Sequence, residues 1–477
     1  MTSRRQFIQS TGLAATALLL QKTKAFAADD KEFISKRPAL ADRKFTSEAV
    51  EGTITAVKKQ IADPELAWLF ENCFPNTLDT TVDFEMIDGK PDTYVITGDI
   101  DAMWLRDSTA QVWPYLPLVK NDKHLQQLIA GVINRQVKCI HLDRYANAFY
   151  KDPNKISEWK SDITEMKPGV HERKWEIDSL CYPVRLAHQY WKDTGDTAPF
   201  DKAWEESIEL ILKTFIEQQR KNGKGPYSFQ RTTAWATDGV PLSGYGYPVK
   251  PIGLICSMFR PSDDATIFPF LIPSNFFAVV SLRNAAEMVN SISKNKQLAE
   301  KCNALANEVN DALKKYAVIN SPQAGKIYGY EINGFGSFNL MDDANIPSLL
   351  SLPYLNAVPE NDMLYQSTRK FVLSENNPFF FKGTAGEGIG GPHAGMDMIW
   401  PMSIIMRGLT SNNEPEVKQC MKMLIKSNAG TGFMHESFNK NDASNFTRKW
   451  FAWANTLFGE FVIHTSQKYP SIIRTKL

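Results

Sequence analysis

Residues 97–108 read Thr97-Gly98-Asp99-Ile100-Asp101-Ala102-Met103-Trp104-Leu105-Arg106-Asp107-Ser108 and lead directly into an apolar periodicity typical of a helix. Several carboxylates, an arginine and a tryptophan crowd this one loop. Trp175-Glu176-Ile177-Asp178-Ser179 repeats the arrangement before another helical pattern. The repetition indicates a helical scaffold in which the loops that precede the helices carry the chemistry.

Helical periodicity dominates the chain, and strand patterns are scarce. It predicts nine clear helices, over residues 107–118, 124–138, 177–192, 200–219, 274–289, 294–315, 361–372, 414–426 and 447–464. Weaker patterns at residues 46–70, 346–355 and 393–406 bring the number to about twelve. Twelve helices with alternating short and long connections suit an all-α (α/α)6 toroid, in which six outer helices surround six inner ones and the long loops form a pocket at one end.

The N-terminus predicts export. Ser3-Arg4-Arg5-Gln6-Phe7-Ile8 precedes an apolar stretch at residues 12–20 and the small-residue site Ala25-Phe26-Ala27, a pattern typical of a twin-arginine signal peptide over residues 1–27. The apolar stretch is shorter than the roughly 20 residues of a membrane span, which disfavours a permanent anchor. We therefore expect residues 28–477 to form a single catalytic domain, periplasmic or secreted, without a membrane span.

Composition excludes some classes of partner and cofactor. The 54 basic and 53 acidic side chains give a net charge of +1, so nothing favours nucleic acid or an anionic membrane, and a neutral partner is expected. The six cysteines form no C-x-x-C pair, and the seven histidines include no H-E-x-x-H motif. We predict no metal and no cofactor, and we favour buried, unpaired cysteines over a disulfide framework.

Two acidic segments stand far apart in the chain: Phe259-Arg260-Pro261-Ser262-Asp263-Asp264 and Gly432-Phe433-Met434-His435-Glu436-Ser437-Phe438-Asn439. Two carboxyl groups that face one another across a pocket are the minimum equipment for cleaving a glycosidic bond without a cofactor. An arginine and a tryptophan beside carboxylates, as at residues 104–107, are also suited to binding sugar hydroxyls. Helix capping is the less favoured alternative for Asp107 or Ser108, whereas for residues 175–179 it explains the pattern nearly as well as ligand binding.

The motifs together resemble glycoside hydrolase family 125. The resemblance rests on Trp104-Leu105-Arg106-Asp107-Ser108, residues 259–264, Pro273-Ser274-Asn275, Gly391-Pro392-His393-Ala394-Gly395-Met396-Asp397 and residues 432–438. It runs in the expected order from about residue 58 to the C-terminus. It implies a six-hairpin (α/α)6 glycosidase and an exo-acting, metal-independent α-1,6-mannosidase that acts with inversion on α-mannosides or N-glycan fragments. By the same resemblance, the catalytic acid lies at Asp263 or Asp264 and the base at Glu436.

Physical chemistry agrees with that assignment. An inverting pair stands roughly 6.5–9.5 Å apart, one carboxyl group protonating the leaving oxygen while the other deprotonates water. Two adjacent aspartates cannot both be catalytic, and the acid must hold its proton, so burial and a neighbouring charge should raise its pKa. By analogy with related helical-toroid glycosidases we expect Asp263 to be the acid, with Asp264 its charged neighbour and a sugar ligand; the reverse assignment is the alternative.

The remaining candidates for contacts with a terminal mannose are Trp104, Arg106, Asp107, Arg260, Asp264, Asn275, His393 and Asp397. A structural histidine at a helix start would explain His393 equally well. Preference for mannose is implied only by the family, because glucose and mannose differ in the orientation of one hydroxyl. Three alternatives stay open: another inverting exo-glycosidase resembling glucosidases, a noncatalytic periplasmic glycan-binding protein, and a metal-dependent mannosidase, which the missing ligand cluster disfavours.

Overall fold

The computed structural model describes residues 33–477, of which Ser35–Leu477 form one compact unit. The predicted export signal at residues 1–27 lies outside the described residues. Within the described part of the chain no helix is long and apolar enough to cross a bilayer. All six cysteines are buried and unpaired, as predicted.

The structure is built from α-helices. They are α1 (Glu48–Lys58), α2 (Pro64–Cys73), α3 (Asn76–Thr80), α4 (Leu105–Val112), α5 (Lys123–Leu142), α6 (Ile177–Thr194), α7 (Lys202–Gln218), α8 (Ile272–Met288), α9 (Lys296–Tyr316), α10 (Met363–Val372), α11 (Pro401–Leu409), α12 (Glu414–Ser427), α13 (Ala452–Lys468) and α14 (Pro470–Ile473). Inner helices α4, α6, α8, α11 and α13 pack side by side, with α4 contacting both α6 and α13. Helices α5, α9 and α12 pack outside α6, α8 and α11 respectively.

Inner and outer helices differ in how they begin. Outer helices start at polar caps: Asp122 Oδ1 accepts the Leu125 N–H at 2.9 Å at the start of α5, and Asn413 Oδ1 accepts the Glu416 N–H at 3.0 Å at the start of α12. The residues before α4, α6, α8, α11 and α13 are Trp104, Glu176, Leu271, Trp400 and Phe451, and none of them makes a side-chain cap. The first backbone N–H groups of the inner helices therefore lack the side-chain caps of the outer helices.

Short antiparallel strands pair segments of different loops with one another. They are β1 (Val82–Ile87), β2 (Lys90–Val95), β3 (Met103–Trp104), β4 (Ala148–Phe149), β5 (Val170–Glu172), β6 (Phe270–Leu271), β7 (Val318–Ser321), β8 (Gly325–Tyr328), β9 (Glu331–Ile332), β10 (Phe338–Asn339), β11 (Phe380–Lys382), β12 (Glu387–Ile389), β13 (Met398–Ile399), β14 (Phe438–Asn439) and β15 (Asp442–Phe446). Strands β3, β6 and β13 lie directly before α4, α8 and α11 and belong to the sheets β3-β4-β5, β10-β9-β6 and β13-β14-β15. These sheets hold the long loops against the N-terminal ends of the inner helices.

Most predicted helices are confirmed, and the weaker ones are wrong in instructive ways. Residues 46–70 form two helices, because Asp63 and Pro64 start α2 separately. Residues 346–355 are buried but not helical: Asp342 accepts the N–H groups of Leu349 and Leu350, and Ser348 and Ser351 bond to each other's backbone. Residues 393–400 form a turn and β13, so the helix expected from residue 393 begins only at Pro401.

Candidate active site

The loops at the N-terminal ends of the inner helices enclose a pocket with about 430 Å³ of atom-free space, part of it open to solvent. Its aromatic lining includes Trp104, Trp400, Phe451 and Trp453, which lie at the starts of α4, α11 and α13. Because these helices begin at the pocket, the positive ends of their dipoles point into it. No side-chain cap covers their first N–H groups. Such a surface favours carboxylates and hydroxyl oxygens.

A tight turn places the first acidic segment. The N–H of Asp263 donates to the carbonyl of Arg260 at 2.9 Å, and Pro261 fixes the backbone at the second position of the turn. Asp263 has a φ of 65°, a left-handed conformation that costs most residues roughly 1–2 kcal/mol and is best tolerated by glycine, asparagine and aspartate. This turn brings the Asp263 side chain into the lining of the pocket. Strained backbone of this kind is common at functional sites.

Asp264 is buried behind the pocket. Its Oδ1 accepts a hydrogen bond from Thr237 Oγ1 at 2.7 Å, and its Oδ2 accepts one from Ser262 Oγ at 3.2 Å. His393 Nδ1 lies 3.6 Å from Asp264 Oδ1, and His393 itself lines the pocket. Burial lowers the pKa of His393, but the hydrogen bond and charge of Asp264, with the charges of Glu436 and Asp263, outweigh burial and raise it to about 9. Asp264 therefore acts on the pocket through an imidazolium cation.

Arg106 is the centre of a buried charge cluster at the pocket. Its Nη1 donates to Glu176 Oε2 at 2.6 Å and to Asp178 Oδ2 at 3.1 Å. Its Nη2 donates to Asp263 Oδ1 at 2.9 Å, and its Nε lies 3.5 Å from Asp107 Oδ2. Four carboxyl groups thus surround one guanidinium. Because like charges repel strongly when buried, these carboxyl groups do not all ionise at neutral pH.

The cluster separates the pKa values of two neighbouring carboxyl groups. Burial raises the pKa of Glu176 well above its ordinary range, although Arg106 opposes the shift. Burial would also raise the pKa of Asp263, but the positive charges of Arg106 and Lys174 and a hydrogen bond from Glu176 bring it well below its ordinary range. Asp263 is therefore ionised and Glu176 protonated at neutral pH. The expectation that the acid candidate has a raised pKa is wrong for Asp263, because a guanidinium lies against it.

Glu436 lies in the same pocket, on the segment that leads into β14. Its Oε2 accepts a hydrogen bond from Thr447 Oγ1 at 2.8 Å, and its Oε1 lies 3.1 Å from Arg448 Nε. The hairpin of β14 and β15 sets this geometry, since the Thr447 N–H donates to the Ser437 carbonyl at 3.1 Å. Arg448 in turn is held by Asp99 at 2.5 Å, in the loop before α4. Glu436 is therefore a carboxylate held in one orientation.

Several buried polar atoms of the pocket have no hydrogen-bond partner among residues 33–477. They are Thr97 Oγ1, Trp104 Nε1, Arg106 Nε, Asp107 Oδ2 and Trp400 Nε1. Burial raises the pKa of Asp107 to about 6, with Arg106 opposing the shift. Leaving buried donors and acceptors unsatisfied costs roughly 1–3 kcal/mol each. Donors and acceptors side by side on aromatic walls match a ligand that carries many hydroxyl groups.

Comparison with known proteins shows to which family the chain belongs. A family model for metal-independent alpha-mannosidases (GH125) matches residues 63–463. The chain is 41% identical over 457 residues to the meiotically up-regulated gene 157 protein of Schizosaccharomyces pombe, covering 92% of this chain and 90% of that protein. A metal-independent α-mannosidase of Streptococcus pneumoniae, solved in a non-productive complex with α-1,6-mannobiose, is 39% identical with a TM-score of 0.84, over 88% of this chain and 99% of that one. The chain belongs to glycoside hydrolase family 125.

The family resemblance read from the sequence is thus confirmed, and membership makes the chain a glycoside hydrolase of the α-mannosidase type. A bacterial glucoamylase complexed with acarbose is 13% identical with a TM-score of 0.53, over 90% of this chain and 58% of that one. This second likeness concerns the fold alone. With the family 125 match it confirms the all-α (α/α)6 toroid of a six-hairpin glycosidase.

The structure brings six of the predicted site residues of this family 125 chain together in the pocket lining: Trp104, Arg106, Asp107, Asp263, His393 and Glu436. Asp264 lies just behind them. Arg260 is outside the lining and pairs with Glu331 at 2.7 Å. Within the part of the chain that the structure describes, the Asn275 amide bonds to the backbone of Ile255 and Leu271 and to no other group. Asp397 lies outside the lining and pairs with Lys440 at 2.6 Å. In this structure the last three residues bond to protein groups outside the lining.

Other residues of the site escaped the sequence reasoning. Asn147 donates to Asp263 Oδ1 at 3.3 Å, and Lys174 Nζ donates to the Asp263 carbonyl at 3.0 Å. Trp400 and Arg448 line the pocket. Glu176 stands in a motif that the sequence singled out, although capping explained it almost as well; the structure excludes capping, since Glu176 makes no cap bond. No local signal marks Asn147 or Arg448.

Proposed function

We propose that this protein is an exo-acting α-1,6-mannosidase that removes terminal mannose from α-mannosides or N-glycan fragments with inversion at the anomeric carbon. The observation that carries the proposal is that Asp263 and Glu436, which are far apart in the chain, line one pocket. Family membership supports the sugar. The relative from Streptococcus pneumoniae, solved with α-1,6-mannobiose, supports the linkage.

Glu436 is the general base in this proposal. Both of its oxygens are held, one by Thr447 and one by Arg448, so the carboxylate has a fixed direction toward the pocket. It removes a proton from the water that attacks the anomeric carbon. Arg448 keeps the guanidinium charge beside this carboxylate and donates a hydrogen bond to Asp99 in the loop before α4.

Asp263 is the general acid. Its Oδ1 is bound by Arg106 and Asn147, which leaves Oδ2 to meet the glycosidic oxygen. The strained turn presents Asp263 rather than Asp264 to the pocket. Because Asp263 is ionised in the resting pocket, the proton that it delivers has to reach it from a neighbouring group.

The terminal sugar binds among the aromatic side chains. The faces of Trp104, Trp400 and Trp453 offer apolar contact to a sugar ring. The indole N–H groups of Trp104 and Trp400 offer partners for its hydroxyls, and so does Asp107 Oδ2, which lies 3.5 Å from Arg106 Nε and accepts no hydrogen bond. A ligand without hydroxyls would leave these groups unpaired, so selectivity for a sugar follows from their burial.

The test is proton NMR of the purified protein acting on α-1,6-mannobiose with a chelator present, from the earliest time points. Initial release of β-mannose supports hydrolysis with inversion by Asp263 and Glu436. Initial α-mannose would mean retention and would refute the assigned roles. Activity that the chelator abolishes would favour a metal-dependent mannosidase.

Failure to release mannose would favour the alternatives. Hydrolysis of an α-glucoside instead would make the protein a different exo-glycosidase on the same toroid. Binding of mannobiose without turnover, measured by calorimetry, would make it a glycan-binding protein.

A further inference from the structure

We propose that Glu176 is the positioning residue that supplies the proton of Asp263, so that the acid of the reaction is a pair of carboxyl groups sharing one proton on Arg106. The inference rests on the proposed function and names the part of the machinery that it leaves undefined. Glu176 is fully buried and lies outside the pocket lining, so it acts through Asp263.

The geometry joins the two carboxyl groups through Arg106. Arg106 spans them, with Nη1 at 2.6 Å from Glu176 Oε2 and Nη2 at 2.9 Å from Asp263 Oδ1. A hydrogen bond between the two carboxyl groups contributes to both pKa shifts, raising the pKa of Glu176 and lowering that of Asp263. Such a bond requires that one of the two groups carries a proton. Glu176 Oε1 accepts no hydrogen bond from any donor among the described residues, so this oxygen is available to carry that proton.

The groups that face Glu176 explain where the proton resides. Arg106 from α4, Asp178 and Ser179 from α6, and Asp263 from the 260–264 turn surround it. Only one of them is cationic. Lys174 and His393 add positive charge on the side of Asp263. Glu176, with burial and two neighbouring carboxyl groups against its ionisation, therefore keeps the proton in the resting state.

The proton moves during bond cleavage. As the bond from the anomeric carbon to the glycosidic oxygen breaks, its electron pair passes to that oxygen, which takes a proton from Asp263. The Glu176 proton passes to Asp263, and Glu176 is left as a carboxylate on Arg106 Nη1. Water bonds to the anomeric carbon and gives its proton to Glu436. Proton exchange with solvent then restores Glu176 and Glu436, so the net reaction consumes one water.

Arg106 limits the electrostatic cost of this transfer. Before the step it faces one carboxylate of the pair, that of Asp263, and after the step it faces two, because Asp263 has passed on the proton it received and Glu176 has lost its own. Both carboxylates contact the same guanidinium, which offsets part of the added negative charge. The alternative is that Glu176 is an ionised structural partner that only orients Arg106.

The test compares two substrates in Glu176→Gln. Glutamine matches the shape and charge of a protonated glutamate but has no proton to give. Hydrolysis of α-1,6-mannobiose needs protonation of the leaving oxygen, whereas 2,4-dinitrophenyl α-mannoside does not. We expect kcat to fall by on the order of 100-fold or more on mannobiose and by less than about threefold on the dinitrophenyl substrate. Residual mannobiose activity should rise toward acid pH, since Asp263 must then take its proton from solvent.

Asp178→Asn is the matched control, because Asp178 contacts the same Arg106 nitrogen at 3.1 Å without a hydrogen bond to Asp263. We expect it to lower the rates on both substrates by the same factor. An equal loss on both substrates in E176Q, or an unchanged pH profile on mannobiose, would overturn the proposal and leave Glu176 a structural partner. If E176Q does not fold, Glu176→Asp, which keeps the carboxyl group but withdraws it, gives the same decision by the same ratio.

Different results would refute the proposed function and the role of Glu176. A wild-type protein that cleaves neither substrate refutes the proposed function and this inference with it. A wild-type protein that cleaves both, beside an E176Q variant without leaving-group dependence, refutes only the role of Glu176.

Discussion

Replacing Glu436, the proposed base, is the most direct perturbation of the site. In Glu436→Gln the amide oxygen can still accept from Arg448 Nε, now 3.1 Å from the carboxylate, and the Thr447 hydroxyl can accept from the amide nitrogen. The pocket therefore keeps its shape and loses only a basic group. We expect kcat on α-1,6-mannobiose to fall by about 100- to 10,000-fold, which corresponds to about 3–5 kcal/mol in the activation barrier. KM should stay within about threefold.

Destabilisation of the fold cannot account for such a fall in kcat. Exchanging a charged for a neutral hydrogen bond at Arg448, which is partly exposed, costs about 1 kcal/mol. For a chain of this length that lowers Tm by about 2 °C or less. Glu460→Gln is the matched control, since Glu460 is a half-buried carboxyl on α13 outside the pocket lining. It should leave kcat unchanged.

The assay is steady-state kinetics by reducing-sugar release, with Tm measured on the same preparations. More than a tenth of wild-type kcat in Glu436→Gln would refute the role of base. A rise in KM with kcat unchanged would make Glu436 a sugar ligand. Azide tests the same carboxylate in Glu436→Ala: as a nucleophile that needs no base, it should yield β-mannosyl azide, and the α product would place Glu436 on the wrong face of the sugar.

Three further outcomes are expected. Asp263→Asn should lower kcat by 100-fold or more and Asp264→Asn by less than about tenfold, as measured on mannobiose; the reverse order would move the acid role to Asp264. Burial raises the pKa of Glu460 from 4.5 to about 7, so the folded state binds more protons between these values and its free energy of unfolding falls by on the order of 3 kcal/mol as pH rises through them. Urea titrations should show that Glu460→Gln removes this loss, and equal slopes with pH in both proteins would contradict it. Changing Arg4 and Arg5 to lysine should block export if residues 1–27 are a twin-arginine signal, which cell fractionation would detect as retained precursor.

The helices could be predicted because their signal is local. Residues three and four apart decide which face is apolar, and polar caps such as Asp122 and Asn413 mark where outer helices begin. The helix predicted at residues 346–355 is wrong for the same reason, because the prediction used only the local pattern. That segment has the burial of a helix, but the Asp342 carboxylate takes the N–H groups that a helix would use. A partner outside the segment decides its conformation.

The sequence could predict which loops form the site. It could not predict which residues of those loops contact the pocket. The motif around Asn275 pointed to a ligand, yet the amide is fully used by the backbone of Ile255 and Leu271. Arg260 likewise pairs with Glu331 instead of reaching the pocket. Both residues support the loops that hold Asp263. Sequence pattern cannot separate a residue that binds a ligand from one that binds the neighbouring loop.

The proton shared by Asp263 and Glu176 gives a physical reason why sequence pattern does not reveal the contacts of a site. Two adjacent aspartates in a buried turn would by themselves raise each other's pKa. Arg106 reverses that result for Asp263, and the displaced proton settles on Glu176, which is 70 residues from Arg106 along the chain, while Asp263 is 157 residues away. Bonds of 2.6 and 2.9 Å between such distant residues determine which carboxyl group is charged. The ionisation of Asp263 is thus favoured most by a guanidinium at the start of α4, a residue that the Asp263 motif itself does not contain.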